Sequence, residues 1–308
     1  MSKPRLVITG GSGLLALNWA CALRNTWDVV LGTHQHSVRL AGTSTSRLNL
    51  DNDVQLGHQL DKLSPDLVVH TAGLTSVDRC EADRDLARHA NAVIARNIAE
   101  VTAKRNILLI HISTDHLFSG DRCFYGEQEP LQPLNEYGRS KALAEGWVGS
   151  AHPKALTIRT NFFCWGHRLR QSLSDWLIYN LRDGKILTLF DDVYFTPILA
   201  DTLALAAHEL MEKGASGVFN LGGPDRLSKY EFALRVSAQF GLPVELIQRG
   251  QVSQGNLLAS RPRDMSLDCS RARQMLGRDL GSIPQYLRDL QTQEVEGRRA
   301  DLYESIYV

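Results

Sequence analysis

The sequence predicts an α/β fold built on a doubly wound parallel sheet, with a smaller C-terminal lobe. Three observations lead to this prediction. A short β-rich run, Arg5–Thr9, enters a glycine turn and then an apolar helical stretch, which is how a βαβ unit begins. Later short runs are almost continuously apolar, as in strands that are buried on both faces of a parallel sheet. Helical stretches separate these runs, and such alternation is typical of a parallel sheet covered by helices.

The elements of the first half follow in chain order. Predicted strands cover residues 5–9, 28–31, 66–70, 107–112 and 155–159, and predicted helices cover 14–23, 83–105 and about 135–149. The long helix at 83–105 rests on six apolar side chains that recur at helical spacing, which are Leu86, Ala90, Val93, Ile94, Ile98 and Val101. We therefore expect residues 1–160 to form a dinucleotide-binding domain.

The second half is less regular. It predicts helices at 171–182 and 201–213, strands at 185–190 and 218–221, and a helix that Ser228 caps and that ends near Phe240. We expect residues 161–308 to form mainly a substrate-binding lobe, with the chain returning to the first domain near 186–222. The segment after Thr292 is rich in charged residues, and we expect it to be loosely held.

Composition excludes several classes of partner. Among 308 residues, Lys plus Arg and Asp plus Glu are balanced at 34 each, so no overall field attracts nucleic acid or an anionic membrane. The chain contains no apolar run that would span a bilayer, and its first residues lead straight into a strand, so we expect a cytoplasmic protein. The five cysteines are scattered and include no Cys-x-x-Cys pair, which favours reduced thiols over disulfides or structural zinc. A small-molecule ligand is the remaining expectation.

The glycine turn predicts a nucleotide cofactor. Gly10, Ser12 and Gly13 lie between a strand and a helix, where backbone amides and the helix N-terminus bind a pyrophosphate, as in a Rossmann-type fold. Because no acidic residue follows Thr33 at the end of the second strand, the sequence favours NADP over NAD. His34 and His36 are interpreted as an exposed loop pair, with a phosphate contact left open.

Tyr137 and Lys141 predict an acid–base pair. A spacing of four places both side chains on one face of a helix, so that the Lys141 ammonium lies near the Tyr137 phenol. A neighbouring positive charge favours phenolate, and we therefore expect the pKa of Tyr137 to be lowered. The competing interpretation is a tyrosine and a lysine that both face solvent.

On these motifs, the chain resembles the extended short-chain dehydrogenases/reductases, and among them the dTDP-4-dehydrorhamnose reductase group of nucleotide-sugar reductases. The resemblance rests on five stretches in family order, which are Gly10-x-x-Gly13-Leu14-Leu15, 72–81, Asn91, 113–120 and Tyr137-Gly138-Arg139-Ser140-Lys141. It implies hydride transfer with Thr114, Tyr137 and Lys141 as catalytic residues. It also implies that Lys141 holds the nicotinamide ribose.

The resemblance also assigns binding residues. The cofactor would contact Gly10, Ser12, Gly13, Leu14, Leu15, Thr33, Asn49, Leu50, Ala72, Gly73, Leu74, Tyr137 and Lys141. The sugar pocket would include Thr114, Asp115, His116 and Phe162, and it departs from the family pattern at His116 and around Phe162. Arg261 and Arg263 are candidates to pair with the substrate diphosphate because a guanidinium group fits phosphate oxygens, although a solvated charged loop is the competing interpretation. Thr114 is open to a second interpretation, as an ordinary strand-end hydroxyl.

The expected activity is therefore NADP- or NAD-dependent reduction of a nucleotide-linked 4-keto-6-deoxy sugar. Two alternatives remain. An epimerase or dehydratase on the same scaffold would keep a tightly bound NAD, but a dehydratase needs a carboxylate pair after the catalytic threonine, where this chain has only Asp115. A non-catalytic regulatory subunit of the methionine adenosyltransferase type is the second. The sequence assigns no metal ligands, and a homodimer through the helices at 83–105 and 136–149, the contact surface of relatives, stays open.

Overall fold

The computed structural model describes residues 3–307. Its strands are β1 Arg5–Thr9, β2 Asp28–Thr33, β3 Ser37–Val38, β4 Thr43–Arg47, β5 Leu67–His70, β6 Leu108–Ile112, β7 Leu156–Arg159, β8 Phe162–Phe163, β9 Leu187–Phe190, β10 Tyr194–Phe195, β11 Ile198–Leu199, β12 Gly217–Asn220, β13 Leu227–Ser228, β14 Ile247–Gly250 and β15 Ile306–Tyr307. Its α-helices are α1 Leu14–Leu23, α2 Asp53–Leu63, α3 Val77–Ala82, α4 Arg84–Arg88, α5 Ile94–Lys104, α6 Glu136–Ala151, α7 Leu173–Arg182, α8 Ala200–Glu212, α9 Lys229–Phe240, α10 Ser270–Leu276, α11 Ile283–Val295 and α12 Arg298–Glu304.

Seven strands form the central sheet in the order β12-β7-β6-β5-β1-β2-β4. Every neighbouring pair in this sheet is parallel. The predicted doubly wound fold is confirmed. The edge strand β4 was not predicted, because its sequence Thr-Ser-Thr-Ser-Arg is polar and lacks the apolar signal of the inner strands. At the opposite edge the sheet is completed by β12, from the second half of the chain.

Helices cover both faces of the sheet. On one face, Leu6 and Ile8 of β1 pack in a large core with α1 and α8. On the other, Val7 of β1 belongs to a smaller core with α2, α5 and α6. Successive residues of a strand point to opposite faces, so each inner strand contributes to both cores. This explains the nearly continuous apolar character of these strands.

The helix predicted at 83–105 is interrupted. It consists of α4, a π-helical turn at His89–Val93, and α5. Such turns recur at functional sites because they rotate side chains out of the regular helical positions. The predicted helix was therefore correct in position but not in regularity.

The segment after Thr292 is ordered, so the expectation that it is loosely held was wrong. Leu302 of α12 is 1% exposed, and Ile306 of β15 is fully buried. β15 pairs antiparallel with β3 from the first half of the chain. High charge was a poor guide here because the charged side chains of α12 form ion pairs, such as Arg298 with Asp201 at 2.9 Å.

Helix α6 supports a buried ion pair and lies close against a loop. Arg159 of β7 donates to Glu145 of α6 at 2.7 and 3.0 Å, and both side chains are at most 5% exposed. In the first turn of α6, Gly138 lies so close to the carbonyl oxygen of His116 that a side chain there would collide with it. Within residues 3–307, no helix is both long and apolar enough to cross a membrane.

Replacing Glu145 with Ala should lower the free energy of unfolding by about 3–5 kcal/mol, because it leaves the Arg159 guanidinium buried without its carboxylate. Glu100→Ala is the matched control, since Glu100 pairs with Arg96 in an exposed pair at 3.7 Å. Its effect should stay within about 0.5 kcal/mol. Urea unfolding followed by circular dichroism measures both, and equal losses would contradict the prediction.

Two glycines of α6 should respond oppositely to Ala. Gly138→Ala places a Cβ against the His116 carbonyl and 2.8 Å from Pro133 Cβ, which should destabilise the protein by about 1–3 kcal/mol. Gly146 has open space around it, and Gly146→Ala should stabilise the helix by about 0.5–1 kcal/mol. The same unfolding measurement tests both, and a neutral Gly138→Ala would show that α6 does not depend on this close approach.

Candidate active site

A cleft of about 640 Å³ opens at the carboxyl ends of β1, β5, β6 and β7. In open parallel sheets, ligands bind at this edge, where the strand order reverses. Thirteen of the residues predicted to bind cofactor or substrate line the cleft, which are Gly10, Ser12, Gly13, Leu14, Leu15, Ala72, Gly73, Thr114, Asp115, His116, Tyr137, Lys141 and Phe162. The structure thus brings the glycine turn and the Tyr-Lys motif to one cavity.

The glycine turn has the shape of an anion cradle. Gly10 adopts a left-handed backbone conformation with φ of 70°, and a Cβ there would lie 2.8 Å from Ala72 Cα. Gly13 begins α1 and offers no side chain to cap it, so the first amides of the helix remain available for a ligand. A diphosphate therefore fits this end of the cleft, and a side chain at residue 10 would collide with Ala72 in the loop that follows β5.

Lys141 is held at the end of β6. Its Nζ donates to the carbonyl oxygen of Ile112 at 2.7 Å, and the side chain is buried. Burial lowers the pKa of Lys141 to about 8, with the Glu145 carboxylate one helical turn further along opposing this change. The amine is therefore charged at neutral pH but close to losing its proton.

Tyr137 lies one turn before Lys141, where the Asn135 side chain caps α6 by accepting from the Gly138 amide at 2.9 Å. Burial raises the pKa of Tyr137 to about 12, although the neighbouring Thr114 hydroxyl opposes the rise. The expected lowering by Lys141 was wrong, because the loss of hydration outweighs the nearby cations. The phenol keeps its proton at neutral pH, which suits a proton donor.

A polar network surrounds Thr114. Its hydroxyl donates to Asp115 Oδ1 and accepts from the His116 amide, both at 3.2 Å. Asn161 donates to the other oxygen of Asp115 at 2.5 Å. The Lys229 ammonium acts on the same carboxylate, which opposes the lowering of the Lys229 pKa to about 8 by burial. Sequence reasoning missed Asn161 and Lys229, although Asn161 lies in the segment after β7 that departs from the family pattern.

His116 faces this network from the side of Tyr137. The two rings meet edge to face at 5.5 Å, and the buried Nδ1 atom of His116 has no hydrogen-bond partner among the residues that the structure describes. Burial lowers the pKa of His116, so the ring is neutral in the cleft. Its free nitrogen is available to a polar group of a ligand.

The segment that follows β8 closes the other side of the cleft. His167 is 6% exposed, and its buried Nε2 has no hydrogen-bond partner in the described part of the chain. Burial, together with the charges of Arg170 and His36, lowers the pKa of His167 to about 4. Arg170 reaches across the cleft to the Thr75 hydroxyl. Neither His167 nor Arg170 was predicted, because this segment carries no recognisable motif.

Asn91 fastens the loop that follows β5. From the π-helical turn, its side chain accepts from the Leu74 amide at 2.7 Å and donates to the Ser140 hydroxyl of α6 at 2.9 Å. The loop that contains Ala72 and Gly73 is thereby fixed relative to the Tyr-Lys helix.

Six predicted binding residues do not line the cleft, which are Thr33, Asn49, Leu50, Leu74, Arg261 and Arg263. Arg261 instead pairs with Asp78 at 2.9 Å and donates to the Ala259 carbonyl. Arg263 lies at a separate surface depression beside Asp191 and Tyr194. The structure therefore does not bring the two arginines to the same pocket as Tyr137.

Comparison with known proteins gives two groups of relatives. The chain is 30% identical over 277 residues to the probable low-salt glycan biosynthesis reductase Agl14 of Haloferax volcanii, covering 88% of this chain and 91% of that protein. It is 26% identical over 289 residues to methionine adenosyltransferase 2 subunit beta of Rattus norvegicus, covering 87% and 81%.

Solved structures of similar fold cover nearly the whole chain. A hypothetical dTDP-4-dehydrorhamnose reductase of Sulfolobus tokodaii is 32% identical with a TM-score of 0.78, covering 90% of this chain and 96% of that chain. The dTDP-4-dehydrorhamnose reductase of Bacillus anthracis, in complex with NADP, has a TM-score of 0.85 at 23% identity, covering 95% and 100%. The sequence profile described as RmlD substrate binding domain matches residues 4–293. Because this match spans most of the chain, the protein belongs to the RmlD family of dTDP-4-dehydrorhamnose reductase-like, extended short-chain dehydrogenases/reductases.

Proposed function

We propose that the protein is an oxidoreductase that uses NADPH, or NADH, to reduce a nucleotide-linked 4-keto-6-deoxy sugar. The observation that carries this proposal is the convergence of Tyr137, Lys141 and Thr114 with the glycine turn on one cleft. Residues 1–160 would bind mainly the cofactor, and residues 161–308 would mainly shape the substrate pocket. The reductase names among the relatives support the same class of reaction.

The cofactor assignment rests on the fit of the cleft. The backbone of Gly10, Ser12 and Gly13 would hold the pyrophosphate, and Lys141 would bind the nicotinamide ribose. When bound, the reduced nicotinamide supplies the hydride. NADP is favoured because no acidic residue lies between Thr33 and Leu40, and the related Bacillus anthracis enzyme was crystallised with NADP.

The residues of the chain would supply the proton and hold the carbonyl. Tyr137 donates its phenolic proton to the oxygen that becomes negative, and Thr114 donates a hydrogen bond to the same oxygen. Asp115, oriented by Asn161, accepts from the Thr114 hydroxyl at 3.2 Å in the structure, so that hydroxyl must turn toward the substrate. Lys141 then favours the resulting phenolate through its charge.

The direct test is a screen of the purified protein with NADPH and NADH against nucleotide-linked 4-keto sugars, including a dTDP-4-keto-6-deoxyhexose. Oxidation of the cofactor, followed by absorbance of the reduced nicotinamide, is the expected result with at least one sugar. Tight NAD with no net consumption would favour an epimerase instead. A dehydratase, which would also keep its NAD, gains little from this site, because the position after Asp115 is His116 and provides no second carboxylate.

A regulatory subunit is the second candidate, supported by the similarity to methionine adenosyltransferase 2 subunit beta. A complete set of Thr114, Tyr137 and Lys141 around a cleft of this volume favours the enzyme. Stable association with a methionine adenosyltransferase, together with no turnover on any keto sugar, would favour the subunit.

Tyr137→Phe should lower kcat by about 10²- to 10⁴-fold, because it removes the proton donor and leaves the packing of the ring. Its dissociation constant for NADPH should change little, since Lys141 and the glycine turn remain. Tyr303→Phe is the control, as this tyrosine is 53% exposed and lies outside the cleft. Steady-state kinetics and fluorescence titration separate the two quantities, and a fully active Tyr137→Phe would refute the proposed role.

Activity should fall as pH rises through about 8, where Lys141 loses its charge. Tyr137, with a pKa raised to about 12, keeps its proton over this range. The free energy of unfolding should instead rise with pH between about 8 and the ordinary lysine pKa of 10.5. In this range the unfolded chain keeps the Lys141 proton that the folded chain has released. The pH profile of kcat/KM measures the fall.

Lys229 provides the control for this assignment, because burial lowers its pKa to about 8 as well. In Lys229→Gln the fall in activity should stay near pH 8, whatever the absolute rate. If the fall disappears in this variant, or if the wild-type profile is flat up to pH 10, the assignment to Lys141 is wrong.

A further inference from the structure

The segment that follows the family match forms part of the candidate cofactor cleft. The RmlD profile ends at residue 293, whereas α12 and β15 lie at 298–307. Ile306 of β15 is fully buried and lines the cleft together with His36 and the glycine turn. A part of the chain outside the family match therefore lines the same cleft as the glycine turn, which carries the family motif.

Backbone pairing fixes β15 beside the end of β2. Ile306 lies opposite Val38 and Tyr307 opposite Ser37, and the Arg39 amide donates to the Ser305 carbonyl at 2.8 Å. β3 follows the end of β2 after three residues, which are His34, Gln35 and His36. In dinucleotide-binding folds, residues at the end of the second strand contact the ribose of the adenosine half of the cofactor.

The same segment makes further contacts outside β3. Arg298 pairs with Asp201 at the start of α8, and Leu302 is buried in the larger core. The Arg168 guanidinium lies 5.8 Å from the centre of the Tyr307 ring. Arg168 neighbours His167, which lines the cleft. Strand β15 therefore connects the loop at His36 with the segment that carries His167.

We propose that β15 is part of the dinucleotide site, where Ile306 forms the wall against which the adenosine-ribose half of the cofactor lies and the pairing with β3 holds His36 toward its phosphate. This inference rests on the proposed use of NADP or NAD. It names the C-terminal strand as a determinant of cofactor affinity. The ligand class is a nucleotide that carries a phosphate at or near the adenosine ribose.

The strand and the cofactor should stabilise each other. β3 and β15 are each two residues long, so few backbone bonds hold the pair together. A ligand that binds only the paired form shifts the equilibrium toward pairing. By the same coupling, loss of the pairing lowers the affinity for the ligand. Cofactor affinity and protection of the Arg39 amide should therefore change together.

The test compares the full chain with a chain that ends at Glu304 and with Ile306→Ala. Fluorescence titration should show that the dissociation constant for NADPH rises by about tenfold or more in the shortened chain. It should rise by a smaller factor in Ile306→Ala. Tyr303→Ala is the matched control from the same segment, with an exposed side chain outside the cleft, and it should keep the affinity of the full chain.

Hydrogen exchange of the unaltered full chain provides a readout that does not depend on how the variants fold. Exchange of the Arg39 amide should slow when NADPH is added, because the bound cofactor holds β15 against β3. Unchanged Arg39 exchange, together with unchanged affinity in Ile306→Ala, would overturn the proposal. If the shortened chain does not fold, these two measurements decide alone.

The outcomes separate this inference from the proposed function. A full chain that binds NADPH with Arg39 protection but reduces no keto sugar would overturn the proposed reaction and support the role of β15. A full chain that binds neither NADPH nor NADH would overturn both. Binding in which NADPH and NADH respond equally to Ile306→Ala would support the wall, and a larger loss for NADPH would support in addition the phosphate contact at His36.

Discussion

The candidate site depends on keeping one ammonium group charged inside the protein. Lys141 is buried, and within residues 3–307 its one hydrogen bond is to the Ile112 carbonyl at 2.7 Å. Burial of a cation is costly, and the Glu145 carboxylate reduces that cost while it also neutralises Arg159. One carboxylate thus serves both the stability of the sheet and the charge of the site. The position of α6 is therefore set by electrostatics as much as by apolar packing.

An ammonium group and a phenol lie together in the cleft, and burial acts on both. Burial lowers the pKa of Lys141 and raises that of Tyr137, and both changes favour the uncharged form. A bound, negatively charged intermediate would reverse the preference for Lys141, because opposite charges at short range favour the ammonium. The arrangement is suited to a reaction in which negative charge develops on the substrate oxygen and is then removed by a proton.

The features that could be predicted from the sequence are those with a short-range pattern. The glycine turn, the inner strands and the Tyr-Lys helix were found because each has a period or a motif of its own. Strand β4 was missed because its residues are polar, and His167 because a lone histidine in an irregular segment has no pattern. The direction of the Tyr137 pKa change was missed because burial is a property of the folded chain, and a spacing of four residues reports only which side chains are neighbours. Arg261 was assigned to the substrate diphosphate only because a guanidinium group fits phosphate oxygens, and in the structure this group donates to Asp78 instead.

The pairing of β15 with β3 joins residues that lie far apart in the sequence, with Ile306 and Tyr307 opposite Val38 and Ser37. During synthesis the N-terminal part of a chain emerges and folds first, so β1, β2 and the glycine turn can assemble long before residues 305–307 leave the ribosome. Over that interval β3 presents an unpaired edge, and such edges are templates for pairing with other chains. A nascent chain would therefore hold a nucleotide pocket with one side missing, and the most vulnerable stage of its biogenesis would be the delay between making the first strands and making the partner that covers them.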